Sequence, residues 1–246
     1  MRRARAARMI KAAAFVGIVG LGSAGGVGTA YPPAQAWASA PTQMVTSTAP
    51  TVDLPAPDQL QSALLRADDL GPAFTQKPTT GPSPSQPEDA ANETRFAGCQ
   101  PLAGLLNGTG DDGRSKNPRA VAIFTSRDGR VAVYEALTAE PPAVLDDDYA
   151  QTKQALESCG SISLVSAGQT IKFSLTPIRF GGPDSSAVRM DATHQGVLVN
   201  GYIAIERLGE SVALAYAFFQ VGGGSSQLAS HFYQRAADKA RTTLDL

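Results

Sequence analysis

Val197-Leu198-Val199-Asn200-Gly201-Tyr202-Ile203-Ala204-Ile205-Glu206-Arg207 and, past a turn at Gly209-Glu210, Val212-Ala213-Leu214-Ala215-Tyr216-Ala217-Phe218-Phe219 read as the two strands of a hairpin. β-Branched and aromatic residues dominate both runs. Apolar side chains recur with the two-residue period of a strand, not the 3.6-residue period of a helix. Three more runs of this kind lie upstream, from Ser161 to Ser166, Ile171 to Phe180 and Ser186 to Ala192, punctuated by Gly168, Gly181-Gly182 and Gln195-Gly196. The gaps are too short for crossover helices, so these strands form an antiparallel meander. A further hairpin is expected from Arg119 to Thr125 and from Arg130 to Leu137, turning at Arg127-Asp128-Gly129.

Helical patterns flank the strands. Asp58 to Arg66 has apolar residues at helical spacing and stops before Gly71-Pro72. Cys99 opens a short helix with Pro101 in its first turn, and Ala143 to Ser158 forms a longer one, with Asp146, Asp147 and Asp148 toward the positive end of its dipole. The last helix runs from about Ser226 to Thr243. Strands in runs, with helices between and after them, predict an α+β fold. Its antiparallel β-sheet has about six to seven strands, packed with helices.

Cys99 and Cys159 are the only cysteines. In an exported chain two such residues are read as a disulfide, the alternative being two buried thiols. A bridge closing a loop of this length is worth about 4 kcal/mol in the chain-entropy description.

Export is read from the start of the chain. Arg2, Arg3, Arg5, Arg8 and Lys11 precede the apolar run Ala12–Gly22, and small-x-small patterns follow at Ala34-Gln35-Ala36, Ala36-Trp37-Ala38 and Ala38-Ser39-Ala40, the last weakest because Pro41 would follow the cut. This order marks a secretory signal peptide over residues 1–38. The apolar run is short for a membrane span and broken by three glycines, so no stable membrane anchor is expected after cleavage. Residues 39–57, rich in Pro, Thr and Ser, read as a disordered spacer, and 58–246 as one domain. Without the leader, 16 basic residues stand against 22 acidic ones, a net charge of −6. That balance gives no electrostatic footprint for nucleic acid.

Catalytic and metal-binding patterns are weak. His194 and His231 are the only histidines, and neither has a ligand-spaced neighbour, so no metal or other cofactor is expected. No GxSxG elbow occurs, and Gly222-Gly223-Gly224-Ser225-Ser226 lacks the lysine of a phosphate-binding loop. Asp111-Asp112-Gly113 and Asp146 to Asp148 do not have the spaced ligands of a calcium loop. Asn92 and Asn107 match the glycosylation pattern. The strand aromatics Tyr202, Tyr216, Phe218 and Phe219 are candidates to line an apolar pocket, or alternatively to build the core.

Leu64-Leu65-Arg66-Ala67-Asp68-Asp69-Leu70-Gly71-Pro72-Ala73-Phe74, the Cys99 turn, and Gly209-Glu210-Ser211-Val212-Ala213-Leu214 before a closing helix resemble secreted or lipid-anchored actinobacterial proteins of the sensor-domain type. Those are similar to the extracytoplasmic sensor domain of actinobacterial serine/threonine protein kinases. The resemblance implies an α+β domain with a cleft and a ligand-sensing or binding role without catalysis. The chain departs from the kinase sensors in having one cysteine pair rather than two, and from many free-standing relatives in lacking a lipobox cysteine.

The function expected from these residues is a secreted, non-catalytic, ligand-binding or sensor-like domain of the cell envelope. Its partner would be a small or apolar ligand or a cell-envelope protein. The alternatives are an interaction module using its exposed sheet face, and a secreted hydrolase centred on Asp146 to Asp148 or His194.

Overall fold

The structure is a computed structural model that describes residues 53–78, 95–107, 117–166 and 169–246. The leader, residues 39–52 of the spacer, the Asp111-Asp112-Gly113 loop and Asn92 lie outside the described residues.

The elements follow in the order α1 (Pro57–Ala63), α2 (Ala67–Leu70), β1 (Phe74–Lys77), β2 (Arg95–Gly98), α3 (Gln100–Leu106), β3 (Arg119–Ser126), β4 (Val131–Ala139), α4 (Pro142–Ser158), β5 (Ser161–Ser166), β6 (Gln169–Ile178), β7 (Ser185–His194), β8 (Val197–Leu208), β9 (Val212–Val221) and α5 (Ser226–Leu244). All strands join one antiparallel sheet in the order β1-β3-β4-β9-β8-β7-β6-β5-β2. The expectation of six to seven strands is therefore corrected to nine among the described residues. The two extra strands, β1 and β2, are four residues each and sit at the two edges. Each buries a single side chain, Phe74 or Phe96, so neither carries a periodic signal; their partners, β3 and β5, supply the pairing.

Local chemistry sets the turns. At the β7–β8 hairpin Gln195 and Gly196 both have positive φ, 52° and 76°, the conformation whose twist matches paired strands. In the β3–β4 turn the Ser126 hydroxyl donates to Asp128 at 2.6 Å, and the Arg130 N–H donates to the same carboxylate oxygen at 3.0 Å. Ser225 caps α5 by accepting from the Gln227 N–H at 3.1 Å, so the glycine-rich run before it serves as a helix entry.

Alternation along the strands divides the interior into two cores. One face carries Val133, Leu137, Tyr202, Ala204, Leu214, Tyr216 and Phe218 and is covered by α1 and α5. The other carries Tyr134, Ile203, Ile205, Ala217 and Phe219 with Phe173 and Met190, and is covered in part by α3 and α4. β8 is buried on both faces, as a central strand between two layers must be.

After β4, α4 carries the chain from the middle of the sheet to β5, near its far edge. There Cys159 at the end of α4 is bonded to Cys99 at the start of α3, with Cα atoms 5.8 Å apart. Asn107 reinforces the same corner by accepting from the Phe96 N–H at 2.6 Å and donating to the Phe96 carbonyl at 2.8 Å, which ties α3 to β2.

Candidate functional site

Where α3 and α4 leave the second face uncovered, the curl of the sheet closes around a cleft of about 570 Å³. One wall is β3 and β4 with Ile123, Thr125, Ala132 and Tyr134; the other is β5 and β6 with Leu164, Ile171 and Phe173. These walls are separated by β9, β8 and β7 in the strand order, and Ala217, Phe219 and Val199 of the intervening strands form the floor. The Phe173 and Phe219 rings meet edge to face with centroids 6.4 Å apart.

The mouth is polar. Thr75, Lys77 and Pro78 approach from the β1 edge, and Ser126, Arg127, Gly129 and Arg130 from the β3–β4 turn. β1 pairs with β3 so that Thr75 lies opposite Thr125 and Lys77 opposite Ile123, which puts both on the cleft side of the sheet. Further in, Arg119 donates to the Tyr134 hydroxyl at 3.0 Å. Burial raises the Tyr134 phenol above its ordinary value, against the pull of Arg119, so the hydroxyl stays neutral.

The four expected pocket residues do not converge. Phe219 reaches the cleft floor, whereas Tyr202, Tyr216 and Phe218 point to the opposite face, under α5. There Phe180 stacks on Tyr202 at 5.5 Å, the Tyr216 ring meets Tyr233, and the Tyr216 hydroxyl donates to the Ala229 carbonyl at 3.0 Å. Neighbours along β9 face opposite ways, so Phe218 and Phe219 cannot share one site. The far wall carries no signal in the sequence: Leu164, Ile171 and Phe173 lie on strands with a clear period, but the curl that brings them opposite Ile123 has no local signature.

The charged residues considered for catalysis lie elsewhere. Asp146 is ion-paired to Arg207. His194 has its Nε2 3.2 Å from Gln169 Oε1, and His231 is exposed on α5. Asp148 is buried beside Glu140, which accepts from the Asn117 side chain at 3.2 Å. Burial pushes Glu140 up to about 7, with the neighbouring Asp148 adding to the rise, and burial raises Asp148 too. Glu135 sits fully buried on the α1 side of β4, accepting from the Leu65 N–H at 2.8 Å, and burial pushes it up to about 8. None of these groups lines the cleft, whose described lining holds no carboxylate, histidine or cysteine. Among the described residues no cluster of His, Cys, Asp or Glu is arranged to hold a metal ion, and no helix is long and apolar enough to cross a membrane.

Comparisons with known proteins bear on the fold. No protein-family model matches the sequence, and no curated protein matches it. Among solved structures, the extracellular domain of PknH from Mycobacterium tuberculosis superposes with a TM-score of 0.58 at 12% identity, over 77% of this chain and 98% of that one. The chain shares the fold of that domain. The human StarD13 (DLC2) lipid transfer and protein localization domain and CalU16 from Micromonospora echinospora each align over 52% of this chain, at 12% and 10% identity and over 85% and 99% of their own lengths. Both have a TM-score of 0.24, too low to indicate a shared fold.

Proposed function

We propose that the chain is an extracytoplasmic, non-catalytic, sensor-like domain that takes a small ligand with an apolar body into the cleft between β3 and β6. The cleft itself carries this reading. Its volume of about 570 Å³ falls within the range of about 300–1,000 Å³ usual for small-molecule sites. Its walls are aliphatic and aromatic, with polar groups gathered at the mouth. The described lining holds no carboxylate, histidine or cysteine to activate its Ser126, Thr75 or Thr125 hydroxyls, which supports binding over turnover. The fold shared with the extracellular domain of PknH supports an extracytoplasmic, sensor-like role, and the Cys99–Cys159 bond supports an oxidising compartment. The interaction-module reading has less behind it. Leu198 and Leu246 are the only large apolar side chains that stand exposed among the described residues, and two side chains do not make a docking patch.

The test uses 1-anilinonaphthalene-8-sulfonate, which fluoresces on entering an apolar site. The mature protein should bind one equivalent. Ala132→Trp, which fills the half-buried middle of the β3–β4 wall, should abolish binding while the circular dichroism spectrum and melting temperature stay close to the parent's. Thr125→Phe tests the same wall from the neighbouring strand. Dye binding that survives both substitutions in folded protein would overturn the cleft as the site.

A further inference from the structure

Three cations crowd the mouth of the cleft from separate elements: Lys77 at the end of β1, Arg127 in the β3–β4 turn and Arg130 at the start of β4. The Arg130 guanidinium reaches across toward the end of β9, lying 3.8 Å from where a Cβ on Gly222 would be. None of the three forms an ion pair with a described residue. Elsewhere the domain pairs its cations readily: Lys153 with Glu157, Arg189 with Asp191, Arg207 with Asp146, Arg235 and Lys239 with Asp69, and Arg241 with Glu206. The nearest carboxylate in sequence, Asp128, is committed to the turn through the Ser126 hydroxyl and the Arg130 N–H and does not line the cleft. The cleft lining thus carries three cations and no carboxylate, while Asp128, beside them in the turn, is held below the usual carboxylate range by the Ser126 hydroxyl, the Arg130 N–H and the Arg130 charge and offsets only part of that positive field.

Resting on the reading of the cleft as a ligand site, we propose that its ligand is an acidic amphiphile. The apolar body lies against Ile123, Phe173 and Phe219, and the anionic head, a carboxylate or a phosphate ester, sits among Lys77, Arg127 and Arg130. An apolar floor behind a cationic mouth discriminates twice. It rejects small anions, which have nothing to bury, and cationic amphiphiles, whose heads the mouth repels. The three cations are exposed, so each contributes modestly, and their effect is additive and sensitive to salt.

The experiment displaces the fluorescent dye from mature protein with laurate, lauryl alcohol and lauryl trimethylammonium, all below their aggregation limits. Laurate should bind about tenfold more tightly than the cationic compound, and its advantage over the alcohol should shrink in about 0.5 M salt. The triple variant Lys77→Gln/Arg127→Gln/Arg130→Gln should weaken laurate about tenfold and leave lauryl alcohol within about twofold. If all three compounds bind alike and the triple variant changes nothing, the acidic-amphiphile proposal falls and the cleft reading stands. If displacement by any of them is indifferent to Ala132→Trp, the cleft reading falls and takes the proposal with it. Sedimentation with phosphatidylglycerol vesicles that persists in Ala132→Trp would make the cations a membrane-surface patch and would also overturn the proposal.

Discussion

The ring of Phe219 occupies the space that a side chain at Gly201 would need. A Cβ built on Gly201 comes 2.7 Å from Cε1 of Phe219 and 3.3 Å from Cβ of Met190. The missing side chain on β8 is what makes room for the ring of β9 at the cleft floor. Gly201→Ala should therefore push the ring into the cleft. The expected cost is about 1–3 kcal/mol of stability in urea unfolding, together with weaker dye binding. Unchanged dye affinity would mean that the ring escapes another way.

Replacing both Cys99 and Cys159 by serine should lower stability by about 2–4 kcal/mol, because the 60-residue loop gains freedom in the unfolded chain. Urea denaturation of oxidised parent and variant measures the difference. Thiol titration of unfolded, unreduced parent should find no free thiol.

Glu135 and Glu140 should make the domain less stable as pH rises. In the folded state burial holds their carboxyls at about 8 and about 7, against 4.5 for an exposed glutamate, so the folded protein keeps protons that the unfolded chain releases. Stability is then greatest below about pH 4.5 for these groups and is lost as pH climbs through 7 and 8. Glu135→Gln should remove about 3 kcal/mol of that slope between pH 5 and 8, read from urea midpoints across the range. A parent protein that stabilises with rising pH over this interval would refute the assignment.

Glu206 is buried at 2% exposure, with Arg241 2.5 Å from Oε1 and the Tyr233 hydroxyl donating to Oε2. Arg241→Ala strands that carboxylate and should cost about 2–4 kcal/mol. Adding Glu206→Gln should recover part of the loss. A double variant as unstable as the sum of the singles would show that the two residues are not coupled.

Most of the fold was legible because the strands carry their own period. The hairpin of Val197 to Phe219 announces itself by alternation, α4 follows from apolar spacing to within one residue of its start at Pro142, and α5 from apolar spacing after the glycine-serine break. β1 and β2 were not legible, since four residues with one buried side chain cannot show a period. The pocket was half legible. Aromatic content on β9 pointed to the right strand, but facing is decided by register, and register assigns Phe219 to the cleft and Phe218 to the opposite core. The cationic mouth was hidden because Lys77, Arg127 and Arg130 come together only through the pairing of β1 with β3 and the turn that follows.

The pairing of β4 with β9, from Val131 opposite Gln220 to Ala139 opposite Val212, sets an order of assembly. As the chain emerges N-terminus first, the β3–β4 hairpin can form early, yet its inner edge has to wait for the last strand of the sheet. Until β9 arrives, that edge offers unsatisfied amide and carbonyl groups to any extended chain nearby. The meander from β5 to β8 waits for the same strand, because β9 alone joins the two halves. Truncation before Val212 would therefore leave two open-edged halves rather than a smaller domain, and a holding chaperone would be needed until β9 has been made.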